Sequence, residues 1–83
     1  MKNFTIETDG VTVWINNAVG CIGRFAKYGI DVHSDPTEQH ELGECLYCTH
    51  TRTTKADWIM FLFQMYKHHG IKIPIKYEPK NLK

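Results

Sequence analysis

The chain has no long apolar run. Its longest unbroken one is Trp58 to Phe63, six residues of 83, against the roughly 20 that a membrane-spanning helix needs. No membrane partner is therefore expected. The opening "MKNFTIETDGV" has no apolar segment of the kind a secretory leader carries. Charge of one sign is also scarce, at a net +1, which is not the balance of a dedicated duplex-DNA binder. Cysteine is sparse and odd in number, at three. Three thiols cannot all pair within one chain, and with no leader in view they are expected reduced in a cytoplasmic setting. Internal repeats, low-complexity stretches, a phosphate-binding loop, a nucleophile elbow and a paired-carboxylate motif are all missing.

What is present suits one small domain over residues 1–83. The apolar share, 42%, is enough for a core and argues against disorder. A chain this short has a thin stability margin, and such domains often add a metal or a dimer interface.

Phe4–Glu7 and Val11–Ile15 alternate on either side of Asp9-Gly10, which predicts an N-terminal β-hairpin. Val11, Val13 and Ile15 are expected on one face, with Thr12 and Trp14 on the other. Two further short strands are expected around Cys21–Phe25 and Ile30–His33. Residues 34–50, "SDPTEQHELGECLYCTH", hold few aliphatics and read as one long loop. Loops of that length are uncommon unless something organises them.

Residues 54–69 read as one amphipathic helix. Thr54 and Asp57 approximate a capping box, Gly70 suits a left-handed end cap, and Trp58, Phe61, Leu62, Met65 and His69 fall on one side. Ile59, Phe63 and Tyr66 widen that apolar face. Ile71, Ile73 and Ile75 alternate as a C-terminal strand, which Pro74 would confine to an edge. Residues 78–83 form a tail. The fold class is α+β, one helix on a small sheet.

The clearest chemical motif is "ECLYCTH", residues 44–50. A C-x2-C turn supplies two of the four ligands of tetrahedral zinc. The other two must come from elsewhere, since no second pair exists. In an extended stretch residues two apart face the same way, so His50 can converge with Cys48. His33 closes the strand entering the loop. The expected zinc set is Cys45, Cys48, His50 and His33, clamping both loop ends. His69 lies fifteen residues beyond Thr54, about 22 Å along a helix. The six-residue tether back to Cys48 spans at most about 20 Å. His68 and His69 are therefore disfavoured. Packing of the two thiols without metal is the competing reading. A redox pair fits less well, because reactive C-x2-C cysteines tend to sit at a helix N-terminus.

A second constellation is "GCIGRFAKYG", residues 20–29. It interleaves Arg24 and Lys27 with Phe25 and Tyr28, residue types that hold phosphates and stack bases. The competing reading puts Phe25 and Tyr28 in the core and the cations in solvent. A cysteine-dependent enzyme would require Cys21 beside a histidine base, which spacing alone cannot establish.

Taken together, "GCIGRFAKYGIDVH", "ECLYCTH", "DW" at 57–58 and "HHGI" at 68–71 resemble a set of small uncharacterised bacterial and phage-associated proteins. The likeness runs over most of the chain and implies a bacterial or phage cytosolic setting. It carries no activity and no site.

The leading expectation is a cytoplasmic, non-catalytic protein-binding module, its loop ordered by zinc. The helix has more apolar surface than one thin sheet covers, which favours a homodimer. An RNA or single-stranded nucleic-acid binder is the alternative, and the cysteine-dependent enzyme is the third reading.

Overall fold

The computed structural model describes residues 3–35, 43–80 and 82. The fold is α+β: five antiparallel strands in the order of the chain, with one helix packed across them. The strands are β1 (Phe4–Thr8), β2 (Val13–Asn17), β3 (Cys21–Ala26), β4 (Gly29–His33) and β5 (Cys45–Thr49), and the helix is α1 (Lys55–His69).

The expected hairpin forms, with Thr8 opposite Val13. Its loop is wider than a two-residue Asp-Gly turn. Gly10 adopts a left-handed φ of 95°, and the Asp9 carboxylate accepts the amides of Val11 and Thr12 at 2.9 and 2.8 Å. Val11 therefore belongs to the loop and is exposed, while Val13 and Ile15 are buried.

Cross-strand pairing sorts the side chains into rows. Thr8, Val13, Phe25, Ile30 and Thr49 form one row, and Ile6, Ile15, Gly23, Val32 and Tyr47 the next. Most of their apolar members pack with Trp58, Phe61 and Met65 of α1. Phe25 meets Trp58 edge to face at 5.1 Å between centroids and Phe61 at 5.7 Å, a preferred aromatic geometry. Full burial of one such side chain is worth about 1.5–3 kcal/mol. Gly23 leaves a gap in its row, and Met65 fills it.

Helix α1 starts and stops as its sequence signals require. Thr54 and Asp57 form a reciprocal capping box, and Gly70 closes the helix at φ 68°. Trp58, Phe61 and Met65 are buried, Leu62 is half-buried, and Ile59, Phe63 and Tyr66 are more than half exposed.

Two elements depart from expectation. The long loop assigned to 34–50 ends early, because Cys45–Thr49 pairs antiparallel with β4 as an edge strand. An apolar and β-branched fringe, Leu46, Tyr47 and Thr49, suffices once β4 offers an open edge. The C-terminal strand does not form: 71–74 carry no regular structure, and Ile75–Tyr77 is a turn of 3-10 helix. With β1 and β5 as the two edges, Ile71 instead joins the core beneath the helix end, and Ile73 packs against it. The expected tail is partly tied down. The Lys80 amide donates to the Gly10 carbonyl at 3.1 Å, Pro79 is buried, and Leu82 packs on the core.

Candidate metal centre and basic cleft

The face of the sheet opposite α1 carries a polar row. Glu7, Trp14, Arg24, Asp31 and Cys48 stand opposite one another across all five strands. Arg24 pairs with Asp31 through Nη2 and Oδ2. His33 lies two residues beyond Asp31 on the same face.

The register of β4 and β5 shifts at this point. Val32 faces Tyr47, but His33 faces Cys45, so Leu46 is an extra residue. Such a bulge reverses the alternation. Cys45 and Cys48, three apart, then share a face, with their Cα atoms only 6.3 Å apart; a fully extended run would separate them by about 10 Å. The two sulfurs are joined as a disulfide, and Cys21 remains free. The expectation that all three thiols are reduced is thus corrected for two of them, because the bulge brings their sulfurs together.

Ligand-bearing atoms of Asp31, His33 and Cys48 lie within 4.8 Å of one another. Around a tetrahedral zinc, ligand atoms stand about 3.3–3.8 Å apart, so rotamer adjustment would bring these three into range. His33 Nδ1 lies 3.1 Å from the Gly43 carbonyl oxygen. A carbonyl only accepts, so Nδ1 donates; in the neutral ring this leaves the Nε2 lone pair free, an orientation typical of metal-ligating histidines. Asp31 gives one oxygen to Arg24 and has another available.

Three of the four expected zinc residues therefore gather at one place. The fourth, His50, is exposed just beyond β5 and lies outside that group, although it shares a recess with Asp31. Asp31 stands where His50 was expected. The signal was present in "GIDVH", since Asp31 and His33 share a face of β4, but Asp31 becomes a neighbour of Cys48 only through strand pairing. The ends of the segment between β4 and β5 are held without metal. The Ser34 amide donates to the Glu44 carbonyl at 2.9 Å, and the Glu44 amide to Ser34 Oγ at 2.8 Å.

The second predicted set divides. Phe25 is buried in the aromatic core and cannot stack a base, which corrects its assignment to a nucleic-acid surface. Its place in the Val13–Ile30 row explains the burial. Arg24, Lys27 and Tyr28 line one open recess of about 330 Å³ with Asp31 and His50. Lys27 lies 5.5 Å from the Tyr28 ring centre, within cation–π range. Lys27 also borders a second recess, of about 230 Å³, with Arg52, Lys80 and an apolar wall that includes Val11, Pro79 and Leu82. Arg52 and Lys80 lie outside the 20–29 stretch. They arrive through Thr53, whose amide and Oγ1 bond the Lys27 carbonyl at 2.9 and 3.0 Å, and through the Lys80–Gly10 bond.

The Cys21 thiol faces the Gly23 carbonyl at 3.4 Å. Among the described residues no histidine hydrogen-bonds it, so the relay that a cysteine enzyme needs is not assembled there.

A third recess, of about 380 Å³, lies along α1 and is lined by Ile59, Leu62, Phe63, Tyr66, Ile71, Lys72 and Ile73. Among the described residues no helix is long and apolar enough to cross a membrane.

No protein-family model matches the chain, and comparison with curated proteins and with solved structures gives no match.

Proposed function

We propose that the chain is a small, non-catalytic module that binds protein through the outer face of α1, with a second copy of itself as the partner. The observation that carries this reading is the apolar stripe of Ile59, Phe63 and Tyr66, each more than half exposed. They stand four and three residues apart, hence along one side of the helix. The stripe borders an apolar groove floored by Ile71 and Ile73. A twofold contact sets a patch against itself. An apolar patch is complementary to its own copy, whereas a patch of one charge is not. Light scattering at high micromolar concentration tests it: a dimer mass for the native chain and a monomer mass for Phe63→Asp support the reading. A monomer mass for the native chain overturns it.

A second reading concerns the opposite face. The grouping of Asp31, His33 and Cys48, with Cys45 adjoining Cys48, favours a structural zinc site once the disulfide is reduced. Cys45, Cys48 and His33 would be ligands and Asp31 the fourth, in place of His50. All four are accepted zinc donors. Reduction and metal loading followed by elemental analysis decide the matter. About one zinc per chain supports the site, and a value well below that under reducing, zinc-supplemented conditions removes it.

A further inference from the structure

We propose that the β3–β4 turn and the segments around it form a binding strip for single-stranded nucleic acid, a surface separate from the helix face. The phosphates would be held by Lys27, Arg52 and Lys80, and a base would stack on Tyr28.

Three stretches distant in sequence deliver these cations to one place. Lys27 sits on the turn after β3. Arg52 is set beside it by Thr53, a buried polar residue whose hydroxyl reaches the carbonyls of Ala26 and Lys27 at 2.7 and 3.0 Å. Lys80 is brought in by the hydrogen bond from its backbone N–H to the Gly10 carbonyl. All three line the same recess. Among the described residues none of the three forms an ion pair, whereas Arg24 and Lys55 are neutralised by Asp31 and Glu78. Like charges so placed repel one another, and an anion relieves that repulsion.

Tyr28 is 61% exposed, far more than packing requires of a large ring. Lys27 lies against it and borders both recesses, so it stands between the ring and the other two cations. Cations beside an exposed aromatic ring form the arrangement that holds a single strand by phosphate contact and base stacking. A lone small anion would satisfy the cations but leave the ring without a role. A duplex keeps its bases stacked inside and offers Tyr28 none.

The test is fluorescence anisotropy of the full chain with a labelled oligouridylate of about twelve nucleotides, within the usual footprint of such modules. Binding is expected at about 50 mM salt, with affinity falling roughly twenty-fold by about 200 mM for three phosphate contacts. The triple variant Lys27→Gln, Arg52→Gln, Lys80→Gln should lose at least roughly tenfold in affinity and flatten the salt dependence. Tyr28→Ala should weaken binding roughly 5- to 100-fold with little change in the salt slope. Lys67→Ala, a cation exposed elsewhere on α1, should bind as the native chain does. Circular dichroism is the check that each variant is folded, and the set Lys27→Arg, Lys80→Arg should retain binding. No binding at low salt, native affinity in the triple variant, equal affinity for a duplex, or displacement of the strand by inorganic phosphate at the strand's own concentration would each overturn the proposal.

Discussion

His69 Nε2 lies 2.7 Å from the backbone carbonyl oxygen of His33. The last turn of α1 is thereby tied to the end of β4, beside the candidate metal centre. The carbonyl can only accept, so Nε2 donates. The other ring nitrogen, Nδ1, is buried without a hydrogen-bond partner among the described residues and stands 3.8 Å from Asp35 Oδ1.

The tie has a measurable consequence. His69→Ala removes a donor to the His33 carbonyl and should cost about 1–3 kcal/mol in urea unfolding. His69→Gln keeps an N–H and should cost less. Neither should alter zinc content, because His69 is outside the ligand group. Metal loss in His69→Gln would contradict that placement.

Zinc binding, if the reduced chain has it, should depend on four side chains and not a fifth. Cys45→Ser and His33→Ala should each abolish stoichiometric loading, Asp31→Asn should weaken it, and His50→Ala should leave it intact. Protons compete with the metal for thiolate and imidazole, so affinity should fall as the pH is lowered. Titration with zinc under reductant reads each of these. Loss of loading in His50→Ala with retention in Asp31→Asn would restore the expectation drawn from "CTH" alone.

Two glycines of the sheet should respond differently to alanine. A Cβ at Gly29 would stand 2.6 Å from the Thr49 backbone oxygen, and β5 would have to move. A Cβ at Gly23 would meet the Met65 Sδ at 2.6 Å, the far end of a flexible side chain. Gly29→Ala should therefore lower the unfolding midpoint more than Gly23→Ala. Met65→Leu, which removes the sulfur, should soften the Gly23→Ala effect, and thermal melts of the three single variants and the double variant measure both differences.

The hairpin loop carries a pH signature. Hydrogen bonds from the amides of Thr12 and Val11 hold the Asp9 carboxyl below its usual range. A carboxylate depressed by folding stabilises the native state fully above its unfolded pKa, about 3.9. That contribution disappears as pH falls through the lower folded value. Stability of the native chain should thus fall in this window by more than that of Asp9→Asn, which keeps an acceptor oxygen but does not titrate. Equal acid sensitivity in the two proteins would show that the loop carboxylate contributes nothing.

The hairpin and the helix were legible in the sequence because their signals are local. The alternation about Asp9-Gly10, the Thr54–Asp57 box and the Gly70 cap each act within a few residues. The apolar spacing of α1 named Trp58, Phe61 and Met65 as core, and all three are buried. Tertiary pairing decided the rest. "CLYCT" is an edge strand only because β4 offers an unpaired edge, and Cys45 joins Cys48 on one face only because a bulge absorbs Leu46. Asp31 replaces His50 near the thiols because cross-strand distance, not chain distance, sets which side chains meet. For the same reason Phe25 went to the core while its neighbours Arg24 and Lys27 stayed outside. Arg52 and Lys80 joined Lys27 through hydrogen bonds between segments more than twenty residues apart, a relation that no period or motif in the chain encodes.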